Sequence, residues 1–295
     1  MTTSLQTDDI SVLSDSFRAG PVDYIQTGRG HLNARMFATR STRVEVREVS
    51  FQAATLLTSE SVFPRFAIGI ALGGNPLLME KKLTDSNLGF VNGTNGLIAR
   101  HAPGSAWCNL AIDHQFLREV ADIHGYAVPD GDGSCELPRS AKADFASALS
   151  QIARSIRGAS LVDLVFEDEI ALLVLRTLNP QRKFQRSNGA VHWQTARRVI
   201  EYVHTNYGQP ITLSEVCVYA GVGERTLRYH FRKACGLGVQ QYLMGYRLHR
   251  GRDILSKRQV ATVAEAARLC GIPDAGRFAQ YFRALFGVLP REVLK

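Results

Sequence analysis

The chain has 295 residues, enough for two domains of ordinary size, and its 45% apolar content is that of a globular protein. Five scattered cysteines (Cys108, Cys135, Cys217, Cys235, Cys270) without C-x-x-C spacing exclude zinc ribbons and a disulfide framework, and no stretch approaches the roughly 18 unbroken apolar residues of a membrane span. Charge is unevenly placed: residues 1–180 hold 16 Lys/Arg against 20 Asp/Glu (−4), residues 181–295 hold 19 against 7 (+12), so the second half calls for an anionic partner, nucleic acid or an acidic membrane surface, and the first half is free for another task.

Residues 1–17 are polar and are expected to form a flexible N-terminus. MTTSLQTDDI carries acids and hydroxyls where a secretory signal needs basic residues and an apolar run, so a cytoplasmic location is expected. From Ala34 to Ile112 come short runs rich in β-branched and aromatic residues, TRVEVREV, FQAATLL, RFAIGIAL, LGFVN, GLIAR and SAWCNLAI, with turns at GGNP, NGTNG and APGS. Many short strands of this kind predict a sandwich or barrel. The period then becomes helical: Phe145, Leu149, Ile152 and Ile156 form one stripe, and LVDLVFEDEIALLVLRTL (161–178) predicts a second helix, with Gly158 between the two. PQRKFQRSNGA (180–190) is polar, basic and broken by Pro and Gly. It predicts a solvated linker over 180–194, between a domain at 18–179 and one at 195–295.

Beyond the linker only helical patterns occur, and they repeat. LSEVCVYAGVGERTLRYHFRKACGL (213–237) aligns with VAEAARLCGIPDAGRFAQYFRALFGV (263–288), pairing Ala220-Gly221-Val222 with Cys270-Gly271-Ile272, Leu227 with Phe278, Phe231 with Phe282 and Gly236 with Gly287. Each copy reads as helix, Gly turn, helix, giving helix-turn-helix units at about 213–234 and 263–286. VQQYLMGYRLHRGRDIL (239–255) has the length of one connecting helix.

On a helix turning about 100° per residue, Leu227 and Phe231 share one side, while Arg225, Arg228, Tyr229 and Arg232 crowd the other. A guanidinium can fork onto guanine O6 and N7 or clamp a phosphate, so this face on the second helix of a Gly-turned pair fits major-groove reading. A merely solvated charged face is the competing reading of any single such helix. Leu213, Val216, Ala220, Val222, Leu227 and Phe231 are expected in the core, and Gly221 and Gly271 at positive φ. Arg247 and Arg250 are open to two readings, phosphate contact or pairing with acids within the domain.

These residues carry a resemblance. Residues 195–295 resemble the DNA-binding domain of the AraC/XylS family of bacterial transcription regulators, through AGVGERTLRYHFRKACGLGVQQYL, YRLHRGRDIL and TVAEAARLCGIPDAGRFAQYFRALFGVLP, with Gly271, Phe278, Phe282, Phe286, Gly287 and Pro290 in register. Residues 18–125 more faintly resemble the cupin-like sensory domain that many of these regulators carry. The resemblance implies an α+β multidomain chain: an N-terminal cupin-like β-barrel with two following helices, then an all-α double helix-turn-helix domain. It implies base-reading positions at Gly223, Glu224, Arg225, Arg228 and Tyr229 in the first unit and Asp274, Ala275, Gly276, Arg277 and Gln280 in the second, with Arg232 and Arg283 added from the charged faces. Tyr229 and Gln280 stand where the family often has arginine. The implied function is a sequence-specific transcription regulator, an activator that answers a small-molecule effector and meets double-stranded DNA and RNA polymerase. The alternative is a nucleoid-like protein that binds nucleic acid without sequence choice.

For the N-terminal half, His31, His101, His114 and His124 are isolated, with no H-x-H or H-x-x-x-H pair for a metal, and no G-x-S-x-G, P-loop or dinucleotide fingerprint occurs. GRGHLNA (28–34) lacks the third glycine. No catalysis, metal or cofactor is expected. Arg65, His101 and Trp107 are candidates to face a pocket, although no effector-binding residue can be assigned by strand parity. The 145–156 stripe and the 161–178 run are candidates for a homodimer interface, the competing reading being that they pack on their own barrel.

Overall fold

The computed structural model describes residues 2–16, 22–59, 65–92, 96–155, 163–178, 184–186 and 189–294. Ile156, Gly158 and parts of the expected linker lie outside them, as does the side chain of Ile152.

The N-terminal domain opens with β1 (Thr2–Thr7), α1 (Ile10–Ser16), β2 (Asp23–Gln26), β3 (Ala34–Arg40), β4 (Val44–Ser50), β5 (Thr55–Ser59), β6 (Arg65–Gly73), β7 (Leu77–Leu78), β8 (Lys81–Lys82), β9 (Asn87–Val91), β10 (Leu97–His101) and β11 (Ala106–Asp113). It continues through α2 (His114–His124), β12 (Gly133–Glu136), α3 (Arg139–Ser155), α4 (Asp163–Thr177) and β13 (Phe184–Arg186). The strands form two sheets, β1-β3-β4-β11-β6-β9-β12-β13 and β2-β5-β10-β7-β8. The expected cupin-like barrel is therefore corrected to a pair of separate sheets: among the described residues no ladder joins one to the other.

Alternation along the large sheet explains its placement. Phe66, Ile68 and Ile70 of β6 and Cys108, Leu110 and Ile112 of β11 face one way, onto Phe116 and Leu117 of α2, Phe145 and Leu149 of α3 and Ile170 and Val174 of α4. Trp107 and Ala111 face the other way, into the space shared with the small sheet. Gly69 and Gly89 face that space too, where an added Cβ would come within 3.2 Å of Trp107 and 2.9 Å of Leu83, so the two sheets approach closely only because these positions lack side chains. Phe145 and Leu149, candidates for a dimer interface, are fully used by the chain's own core, as are Ile170, Val174 and Leu175.

The flexible N-terminus over 1–17 is a second correction. β1 pairs with β3 along six residues, and α1 buries Ile10 and Leu13. A third concerns the linker: β13 pairs with β12, and α5 begins at Gly189.

The C-terminal domain comprises α5 (Gly189–Asn206), α6 (Leu213–Ala220), α7 (Glu224–Cys235), α8 (Val239–Ser256), α9 (Val263–Leu269), α10 (Ala275–Phe286) and α11 (Pro290–Val293). Phe278, Phe282 and Phe286 fill the core of its second half together with Leu248 and Leu255 of α8. The first half has no core of its own. Val199, Val216, Leu227, Phe231 and Tyr242 belong to one apolar cluster with Ile25, Leu56 and Leu57 of the small sheet, so the two domains share buried surface.

Candidate nucleic-acid interface

The first unit is built from its caps. Thr212 and Glu215 form a reciprocal capping box at the start of α6, which ends at Gly221 with φ 69°. That left-handed residue turns the chain into α7, whose N-cap is Gly223. Leu227 and Phe231 are fully buried, which fixes the rotation of α7 and leaves Glu224, Arg225, Arg228, Tyr229 and Arg232 exposed together. Glu224 and Arg228 pair one turn apart at 2.8 Å. Both are well exposed, so the pair contributes little stability but holds the guanidinium along the helix.

The second unit repeats this with different chemistry. Thr262 accepts from the N–H of Glu265 at the head of α9, and Gly271 turns the chain at φ 72°. The carboxylate of Asp274 accepts from the N–H of Arg277 at 2.9 Å, so this expected base-reading residue is engaged as the N-cap of α10. Gly276, Arg277, Gln280 and Arg283 are exposed, and Ala275 is half-buried. The structure thus gathers the named residues into two exposed clusters, each backed by a buried stripe of its own helix. Arg247 lies outside them, donating to the carbonyls of Tyr207 and Gln209 at 2.7 Å each, and Arg250 pairs with Asp253 at 3.1 Å. Both serve the domain's interior joints.

Several contacts around the site leave no trace in the sequence. The ring of Tyr229 meets the ring of His192 on α5 edge-on, centroids 5.4 Å apart, and Nδ1 of His192 lies 3.1 Å from Glu80 in the β7–β8 turn. Further along α7, the Arg100 guanidinium of β10 lies over the C-cap, Gly236, where a Cβ would collide with it. At the corresponding end of α10, the carbonyl of Leu285 accepts from the N–H of Gly30 at 3.0 Å and from the Gln26 side chain at 2.8 Å, and His31 packs on Gly287. On α8, buried His249 accepts the backbone N–H of Gln26 at 2.9 Å.

Residues 216–295 match a family described as a helix-turn-helix domain. Residues 216–295 thus form an AraC-type helix-turn-helix domain. The chain is 30% identical over 96 residues to the HTH-type transcriptional regulator GbdR of Pseudomonas aeruginosa, covering 32% of this chain and 26% of that protein. It is 22% identical over 204 residues to the HTH-type transcriptional activator RhaS of Escherichia coli, covering 69% and 63%. Among solved structures, a probable AraC family transcriptional regulator from Rhodopseudomonas palustris is 31% identical and covers 34% of this chain and 94% of that one, with a TM-score of 0.32. The chain thus matches only about a quarter of the length of GbdR.

Of the pocket candidates in the N-terminal half, Arg65 donates to the carbonyl of Thr42, Trp107 is buried between the sheets, and His101 lines a cleft between the two domains. Among the described residues no three His, Cys, Asp or Glu side chains are placed to hold a metal ion, and no helix is long and apolar enough to cross a membrane.

Proposed function

We propose that the chain is a sequence-specific DNA-binding transcription regulator, with an effector-sensing and dimerising N-terminal domain and a C-terminal DNA-binding domain. The observation that carries this reading is the pair of exposed clusters, Arg225, Arg228, Tyr229 and Arg232 on α7 and Arg277, Gln280 and Arg283 on α10, on helices that each follow a Gly turn. Two such helices on one chain suit two segments of major groove on one face of a duplex. In this reading Arg225 and Arg228 supply direct base readout, with Gly223 and Glu224 close to the bases at the head of α7. The second unit, with Ala275 and Gly276 in place of long side chains and Asp274 engaged as a cap, contributes mainly phosphate contacts through Arg277 and Arg283. Similarity to the transcriptional activator RhaS favours activation, with RNA polymerase as a further partner.

Selection of binding sites from random DNA, followed by competition with unrelated duplex, tests the proposal. A specific regulator retains its selected site against competitor with about 10³-fold preference or more. Uniform binding governed by salt alone would instead establish the nucleoid-like alternative. Footprints of Arg225→Ala and Gln280→Ala divide the roles of the two units: equal loss of base preference in both half-sites defeats the assignment. Sedimentation of the full chain tests dimerisation, and a strict monomer with and without DNA ends that part.

A further inference from the structure

The void between the two sheets of the N-terminal domain, lined by Leu57, Gly69, Trp107 and their neighbours, is only about 20 Å³, far below the size of an organic-ligand site. A larger space lies elsewhere. A cleft of about 840 Å³ separates β2, β5, β7 and β10 from the C-terminal end of α7, from α8 and from the end of α10, a size in the range of small-molecule sites.

The chemistry of its walls has one sign. Arg29 and Arg100 line it, and no Asp or Glu does. Arg100 is half-buried, and its side chain makes no ion pair or hydrogen bond with any described residue. Beside it in sequence, His101 is 2% exposed; its Nδ1 meets the Thr55 hydroxyl at 2.9 Å, and its Nε2 has no partner. Burial holds its pKa down to about 3, so the ring is a neutral polar group and the charge belongs to the arginines. The remaining wall is largely apolar, including Leu77, Leu237 and Met244. Leu77 is the cross-strand partner of Arg100, so the two side chains share one face of the small sheet.

We propose that this interdomain cleft binds a small amphipathic organic carboxylate, its head on Arg100 and its apolar body against Leu77, Leu237 and Met244. The proposal deepens the regulator reading by naming the class and place of the effector, and it rests on that reading only for its consequence. The consequence follows from where Arg100 lies. Its guanidinium covers the C-terminal end of α7, where unpaired carbonyls carry the negative end of the helix dipole. A carboxylate in the cleft draws on the guanidinium that lies over this helix end, and so alters the contact of the small sheet with α7.

The test uses the full chain and 8-anilinonaphthalene-1-sulfonate, a fluorescent amphipathic anion small enough for the cleft. One saturable site per chain is expected, displaced by 4-phenylbutyrate and not by the uncharged 4-phenylbutyramide. Arg100→Gln is expected to weaken dye binding by about tenfold or more, the loss of one charge-assisted contact. Leu77→Trp, which fills the space beside the guanidinium, should weaken it as much, with thermal unfolding of each variant confirming that it folds. Absence of a saturable site, equal displacement by the amide, or dye binding unchanged in both folded variants overturns the proposal. The titration contains no DNA. A protein that binds dye as expected but shows no site preference on DNA leaves the cleft standing and removes the regulator reading, and the reverse pattern removes only the cleft.

Discussion

Gln26 and His249, 223 residues apart in the chain, are joined by a 2.9 Å hydrogen bond from the backbone N–H of the first to Nε2 of the second. The imidazole is fully buried against Phe286, and burial depresses its pKa to about 4. Arg252 nearby pushes in the same direction, while the Gln26 carbonyl, 3.2 Å from Nε2, and Asp9 oppose it. An unfolded histidine titrates near 6.5, so the stability tied to the neutral ring is complete above that pH and is lost as pH falls toward 4.

Thermal unfolding should therefore begin at lower temperature at pH 5 than at pH 7.5, with His249 contributing on the order of 2 kcal/mol to the difference. His101 acts with the same sign over a window reaching down to its pKa of about 3. In His249→Leu the pH dependence between 6.5 and 4 should shrink, and an unchanged slope would show that the proton is taken up elsewhere.

Glu80 lies in the N-terminal domain, yet through His192 it supports the ring of Tyr229 on α7. Glu80→Gln keeps the shape and removes the charge. It should weaken binding to the selected DNA site by about two- to tenfold, the range of a solvent-screened ion pair and one ring contact. Gel-shift titration of the two proteins on one duplex measures this; equal affinities would show that Tyr229 does not depend on its support.

Phe282 is fully buried between the rings of Phe278 and Phe286, 5.5 and 4.6 Å away. Phe282→Ala should cost about 3–5 kcal/mol in chemical denaturation. Because the first half of the AraC-type domain belongs to a different apolar cluster, amide exchange should loosen first in α9 to α11 and later in α6 and α7.

Gly271 has φ 72°, and a Cβ there would lie 2.8 Å from the carbonyl oxygen of Tyr207, a backbone atom that cannot swing away. Gly271→Ala should destabilise the second unit by about 1–3 kcal/mol, measured by the same denaturation. At Gly223, where φ is −69° and no atom lies within 4 Å of an added Cβ, alanine should cost only about 0.5–1 kcal/mol, the preference of an N-cap for Gly over Ala.

The contrast between these glycines also shows what the sequence makes legible. The repeated units could be read because each is local: Thr212 and Glu215, Gly221, Leu227 and Phe231 sit within twenty residues and act on their own backbone. Six of the eight strands between Val44 and Asp113 (β4, β5, β6, β9, β10 and β11) were legible for the same reason, as patterns along single segments. β1 was not, because TTSLQT is held by backbone pairing to β3 rather than by an apolar pattern. Nor was the division into two sheets, since closure depends on which edges meet and not on what any strand contains. Within the candidate site, the rotation of α7 followed from two buried residues, whereas Glu80, Arg100 and Gln26 carry nothing in their neighbours that announces a partner more than a hundred residues away.

The N-terminal domain touches α7 and α10 in the same way, at their C-terminal ends: Arg100 over Gly236, and Gly30, Gln26 and His31 around Leu285 and Gly287. Toward the opposite ends Glu224, Arg225 and Arg228 and Gly276, Arg277 and Gln280 are exposed. Between tail and tip each helix is seated on its own domain, α7 through Leu227 and Phe231 and α10 through Phe278 and Phe282. A change in the N-terminal sheets can therefore bear on the tails of both helices at once without touching a residue of either exposed cluster.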